Sequence, residues 1–281
     1  MAQNFDQFLN LPPPMMVLVM RMMTAKELVQ LFIVSDETAL LVADFARNFP
    51  RYIEVAHTDD TFEFRFQAER DNPPVCNIRF RKGDAPPAVA DQNRWFVRGF
   101  RLPVDISDDN SIIIYCNGDH LIPARRLFDL LFVSTHLQWR QARFIRSNWL
   151  TRNNLIRLLN CERIILSGSG FNEEDLSAFL GRWIQGRVLE RAYIERDITR
   201  ENGPFDFHKI VRVHRRQLFV PPQYLQRGPR ILPIEYARLV CNRGRSAAFY
   251  RRKNNNRTDS VTLQVGRIEE EEGEIPMNQM R

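Results

Sequence analysis

Between Thr61 and Lys82 the chain alternates aromatic or aliphatic residues with charged ones. Phe62, Phe64 and Phe66 are separated by Glu63 and Arg65, and Cys76, Ile78 and Phe80 repeat the pattern. Successive side chains of a strand point to opposite faces, so a period of two places all these apolar groups on one side. That side must be covered, and the charged side is left to water, as in half-buried antiparallel strands. His57-Thr58-Asp59-Asp60 lies just ahead of the second strand and predicts a hairpin turn. Trp95 to Leu102 and Ser111 to Cys116 read as further strands. Leu121 to Val133 reads as a helix with Leu127, Leu130 and Leu131 inward. Glu235 to Val265 reads as a three-stranded meander, with Asn242-Arg243-Gly244-Arg245 as one turn. Arg196 to Arg230 has no period and is basic. Glu269 to Glu274 opens an acidic tail over residues 268–281 that is expected to be disordered.

The first fifty residues follow a different rule. Leu11 to Phe32 holds five of the chain's eight methionines. Pro13-Pro14 marks a helix entry, because first-turn amides lack helical acceptors and proline loses nothing there. Thr24 precedes a second apolar stretch with Glu27 three residues on, the spacing of a capping box. Short helices cannot bury this much flexible apolar surface against each other alone. Methionine-rich faces that repack suit either a larger core or a docking partner helix.

A third pattern runs from Asn148 to Glu195. Thr151 caps a short helix bearing Leu155, Ile156, Leu158 and Leu159. Cys161 to Leu166 is strand-like, and Ser167-Gly168-Ser169-Gly170 is a loop. Asn172 and Asp175 sit at capping distance ahead of Leu176, Phe179, Leu180, Trp183 and Ile184, the stripe of an amphipathic helix. Gly186 closes it, and Val188 to Ile194 is the next strand. A strand–helix–strand order favours a parallel pair with a right-handed crossover. Two such units, roughly 20–28 residues apart, suggest a short leucine-rich-repeat-like section.

Composition narrows the function classes. The chain is 281 residues and 44% hydrophobic, enough for a real core. No apolar run reaches the roughly 18 residues of a membrane span. Arg21 interrupts the apolar block at Met15 to Met23, which makes a poor signal peptide. Cys76, Cys116, Cys161 and Cys241 are widely spaced and read as reduced core residues, consistent with a cytoplasmic or nuclear protein. The five histidines are scattered outside any zinc-protease frame. Gly168-x-Gly170 follows a strand, but Glu173 stands where a dinucleotide loop needs its third glycine. No catalytic, cofactor or metal site is therefore expected. The net charge is +6, and 36 of the 40 basic residues are arginine. His214-Arg215-Arg216 and Arg251-Arg252-Lys253 with Arg257 offer phosphate-matching groups. Aromatics are not interleaved with them as single-strand platforms require, so nucleic acid is disfavoured as a partner.

Two segments resemble known modules. Leu11, Pro12, Met23, Glu27 and Leu28 resemble the F-box of the large nematode-expanded F-box family, with Thr24 in place of Asp and Ser35-Asp36-Glu37-Thr38 in place of a basic Ser-Lys-Arg-Thr. Trp149, Thr151, Leu159, Asn160, Asp175, Leu176, Phe179, Leu180, Trp183 and Ile184 resemble the core signature of the type 2 F-box-associated domain. Gly244 and Ala247 resemble its C-terminal hairpin. Ser177 and Gly181 depart from the signature, and the resemblance lacks a block between about Phe132 and Phe144.

The resemblance implies an α+β protein. Residues 1–50 would be an F-box-like helical module. Residues 51–267 would be a mixed α/β substrate-binding domain with antiparallel strands and the repeat-like strand–helix section. It further implies a non-enzymatic substrate-recognition subunit of a cullin–RING ubiquitin ligase. The N-terminal helices would bind a Skp-type adaptor joined to the cullin scaffold, and the C-terminal domain would bind a protein target. Leu11, Pro12, Met15, Met16, Val19, Met23, Leu28 and Leu31 are the adaptor-binding residues expected on this resemblance. The alternatives are a binding domain whose degenerate F-box no longer engages the ligase, and an arginine-rich nucleic-acid binder.

Overall fold

The computed structural model describes residues 8, 10–70, 72–86, 94–97, 100–106, 110–134, 137–199, 203–212, 235–242, 244–253 and 257–265. The acidic tail and the His214-Arg215-Arg216 cluster lie outside them.

Three helices fully delineated among the described residues come first: α1 (Pro13–Met22), α2 (Ala25–Val34) and α3 (Asp36–Phe45). Pro12 is the N-cap of α1, with Pro13 and Pro14 in its first turn. Thr24 and Glu27 form the expected capping box, with the Thr24 amide donating to Glu27 at 2.7 Å. Ser35 and Thr38 form a second box that starts α3. That helix is not delineated by the sequence reading, which treats residues 35–38 only as a charge-inverted motif. Its inward residues Thr38, Ala39 and Val42 are small, so its stripe is faint.

Among the described residues twelve strands follow: β1 (Tyr52–His57), β2 (Thr61–Gln67), β3 (Cys76–Lys82), β4 (Arg94–Val97), β5 (Phe100–Ile106), β6 (Ser111–Cys116), β7 (Gln141–Ile145), β8 (Arg163–Ser169), β9 (Arg191–Asp197), β10 (Glu235–Val240), β11 (Ser246–Lys253) and β12 (Thr258–Val265). They join in one sheet of order β10-β11-β12-β9-β8-β7-β1-β2-β3-β6-β5-β4. Most neighbours are antiparallel. The β1–β7, β7–β8, β8–β9 and β3–β6 pairs are parallel. The β1–β2 hairpin turns where expected, and Thr58 and Thr61 close it through their side chains at 2.7 Å. Glu235 to Val265 is the expected meander.

Three boundaries differ from the sequence reading. Trp95 to Leu102 is two antiparallel strands, because the chain reverses between Val97 and Phe100. The strand expected at 161–166 runs from Arg163 to Ser169, through three of the four residues of the predicted loop, because Leu166 and Ser169 still pair with β9 across a register shift. The strand expected from Val188 begins at Arg191, and Val188 is exposed.

Four further helices are α4 (Leu121–Asp129), α5 (Arg152–Arg157), α6 (Glu173–Ile184) and α7 (Phe207–Arg212). The end of the expected 121–133 helix widens into a π turn at Leu130–Ser134, with Leu127, Leu130 and Leu131 buried. Thr151 and Asn172 cap α5 and α6 through boxes with Asn154 and Asp175.

Register explains the layers. Ile112, Ile78, Phe64, Val55, Phe144, Leu166, Ile194 and Val261 are cross-strand neighbours in one row, each no more than 1% exposed. Burying eight such side chains at about 1.5–3 kcal/mol each makes this row a main source of folding free energy. Each of these seven helices contributes buried residues to the same cluster. Ile113, Ile145 and Ile165, on the opposite face, stand outside it and are half-buried.

The N-terminal helices share this core. Phe32 of α2 meets Phe49 at 5.2 Å between ring centroids. Phe49 in turn meets Phe66 at 6.2 Å and Trp139 at 6.0 Å. Trp139 donates its indole N–H to the Leu131 carbonyl at 3.0 Å. Among the described residues no helix is long and apolar enough to cross a membrane.

Candidate functional site

Helix α1 is apolar on nearly every side, and the fold divides it into two stripes. Met16 and Met20 point inward, at 9% and 0% exposure. Met15, Leu18 and Met22 recur at helical spacing on another side, at 49%, 51% and 86% exposure. Leu40 and Phe45 of α3 are also exposed. These five account for most of the large exposed apolar side chains among the described residues. A concentration of this kind marks interaction sites on soluble proteins.

The eight residues expected to bind an adaptor are dispersed. Pro12 and Met15 are exposed, and Leu11, Val19 and Met23 are half-buried. Met16, Leu28 and Leu31 are buried in the chain's own core, so they present almost no surface to an outside protein. Leu18, Met22, Leu40 and Phe45 do present such surface, and sequence reasoning missed them. A helix apolar all round gives no periodic signal of which stripe faces out.

The open face of the sheet is a second surface. Glu54, Arg65 and Arg143 are lateral neighbours there, with Asn77 and Ile165 flanking them. Arg65 bonds Glu54 and Glu63, each at 2.7 Å, and Arg79 reaches Glu63 at 2.9 Å. Arg143 approaches the far oxygen of Glu54 at 3.4 Å. Burial alone would raise the Glu63 carboxyl pKa, but the hydrogen bonds and charges of Arg65 and Arg79 outweigh it and hold it below the usual range. The face is thus an ionic lattice in which the half-buried Ile113, Ile145 and Ile165 are interspersed.

Other candidates resolve as structure. Gly168 lies at φ +62°, and a Cβ there would stand 3.4 Å from the Arg146 Cα, so this glycine serves the register shift of β8 where the strand passes Arg146. Ser169 is buried and donates to the Glu195 carbonyl at 2.8 Å. Cys76, Cys116, Cys161 and Cys241 are buried and unbridged. Burial pushes the Cys76 thiol up to about 12 and raises Cys161 further, which keeps both protonated and unreactive. His57 and His120 rings lie 6.1 Å apart near the carboxyl ends of β1 and β6. Burial lowers both pKa values, and His120 further lowers that of His57.

Arg251 is committed to the fully buried Asp259 at 2.9 Å, which also accepts the Phe205 amide at 2.7 Å. Arg196 is 4% exposed and ties β9 to Glu173 of α6 at 3.0 Å and to the Gly203 carbonyl at 2.7 Å. Its guanidinium lies 3.8 Å over the Phe205 ring. Arg251 belongs to a cluster that the sequence offers as phosphate-matching groups, and Arg196 opens a stretch that it shows only as basic and without a period. Among the described residues no three His, Cys, Asp or Glu side chains gather as a metal site.

Residues 132–194 match the model of a family described as F-box associated. The match covers α6, β7, β8 and the start of β9, and takes in the 132–144 block that the motif resemblance leaves out. No curated protein and no solved structure matches the chain.

Proposed function

We propose that this protein is a substrate-recognition subunit of a cullin–RING ubiquitin ligase. The outward stripe of α1 docks on a Skp-type adaptor, and the sheet domain holds a protein target. The observation that carries the reading is the exposed Met15, Leu18 and Met22 stripe, in the same chain as a segment of the F-box-associated type. Residues 1–50 act as the docking unit and 51–267 as the target-binding unit. The parallel β7-β8-β9 run with α5 and α6 between its strands is the leucine-rich-repeat-like part of that unit. Such a subunit performs no bond chemistry. It raises the effective concentration of target lysines beside the ubiquitin-carrying enzyme, which for short connections reaches the millimolar range.

Of the residues expected on the adaptor face, Pro12 and Met15 are retained, with Leu11, Val19 and Met23 at its margin. Leu18, Met22 and Phe45 join them. A stable interface of this sort buries on the order of 1,200–2,000 Å², which three short helices can supply. Purified full chain is expected to bind purified adaptor, and Leu18→Glu with Met22→Glu is expected to abolish binding without loss of stability. Undiminished binding by that variant would show the docking face to be elsewhere.

A second reading keeps the target-binding role and drops the ligase. It is favoured by Leu28, Leu31 and Met16, which are occupied by this chain's own core. Failure of the unaltered chain to bind the adaptor would select it.

A further inference from the structure

Beside the outward stripe of α1 is a cleft of about 170 Å³. Val17 and Arg21 of α1, Asp44 and Phe45 of α3, and Arg47 and Arg51 of the connection into β1 line it. Asn48 donates to the Arg21 carbonyl at 3.4 Å and holds the two walls together. Arg21 and Arg47 are exposed, and no carboxylate lies within ion-pair distance of Arg21, Arg47 or Arg51 among the described residues. Arg51 reaches only the Gln138 carbonyl, at 3.4 Å. Arg65, Arg79, Arg143, Arg152, Arg196 and Arg251, by comparison, each have a carboxylate partner. Three cations against one anion, Asp44, leave the cleft with a surplus of two positive charges. Burial and the nearby Arg140 charge both act against the Arg51 guanidinium, and an incoming anion would offset them with an opposite charge.

We propose that this cleft is a carboxylate receptor that takes an acidic side chain of the adaptor docked on Met15, Leu18 and Met22. The inference rests on the docking reading and adds the chemistry of the partner's contact. That contact is an apolar segment carrying an aspartate or glutamate at its edge. Guanidinium groups suit the task because they offer fixed pairs of donors that match carboxylate geometry. The placement also follows the usual anatomy of interfaces, an apolar centre with a polar rim in which arginine is favoured. A charge at the rim speeds and orients encounter more than it holds the complex.

The test uses the full chain and a purified Skp-type adaptor, with affinity measured by calorimetry across a salt series. Arg21→Glu with Arg47→Glu is expected to weaken binding at least tenfold at low salt and to flatten its salt dependence. Arg47→Lys, which keeps the charge and loses the donor pair, should fall between the unaltered chain and the double reversal, and Arg163→Glu on the open sheet face should change nothing. If the double reversal binds as tightly and as salt-dependently as the unaltered chain, the carboxylate receptor is overturned while the docking reading stands. If the unaltered chain does not bind the adaptor at all, both fall together. If deleting residues 268–281 and reversing the two arginines each raise affinity, the chain's own glutamates occupy the cleft and the proposal is overturned.

Discussion

Glu63 shows how single side chains hold this fold. Its carboxylate is almost covered and answers two arginines from different positions on the open face. Removing its charge leaves both guanidinium groups half-satisfied, so Glu63→Gln is expected to cost about 2 kcal/mol in urea unfolding. The sign with pH follows from its lowered pKa. The contribution is full above the ordinary value of 4.5 and is lost as pH falls through the lower folded value. His57 and His120 act in a higher window. Their folded pKa values lie below 6.5, so the unfolded chain takes up protons first and stability declines as pH drops below about 6.5. Part of that decline should vanish in His120→Gln, measured as the difference in melting temperature between pH 7.5 and 5.5. Gly168→Ala tests backbone rather than charge. At φ +62° an alanine is expected to lose about 1–2 kcal/mol, whereas a strand irregularity indifferent to its residue would lose none.

At the level of helices and strands, the two sides of the N-terminal module should respond oppositely to mutation. Leu28 is fully buried on α2, so Leu28→Ala should cost about 2–5 kcal/mol. Met22→Ala on the outward stripe should fall within about 0.5 kcal/mol of the unaltered protein, since it fills no cavity. Equal losses at both positions, read by chemical denaturation, would show that α1 has been oriented wrongly. The same contrast explains what the sequence discloses. Caps are local chemistry, so Thr24, Thr151 and Asn172 are readable directly, each with its partner three residues on. Alternation at Phe62, Phe64 and Phe66 identifies the sheet, because one face is charged. The outward methionines are not readable, since Met15, Met16, Val19 and Met20 have equivalent chemistry and only the finished core decides which of them it needs. The parallel contacts of β1 with β7 and of β3 with β6 are equally silent, because they join segments with no shared local signal. The arginine cleft draws on two separate stretches, 17–21 and 43–51, and no spacing rule links them.

For the molecule as a whole, the decisive feature is that Phe32, Phe49, Phe66 and Trp139 form one aromatic contact chain from helix α2 to the sheet. Circular dichroism and tryptophan fluorescence are therefore expected to report one coincident unfolding transition over the first fifty residues and the sheet. Two separated transitions would mean that the helices are an independent body. Phe49→Ala, at the junction, should lower that single transition by about 3–5 kcal/mol. A shared core also sets what the docking helices can transmit. On the proposed reading, whatever sits on the sheet is bolted to the ligase at a fixed bearing, without a swivel between grip and load. The choice of modified lysine on a target would then follow from orientation, as a clamp on a lathe decides which part of the workpiece meets the tool.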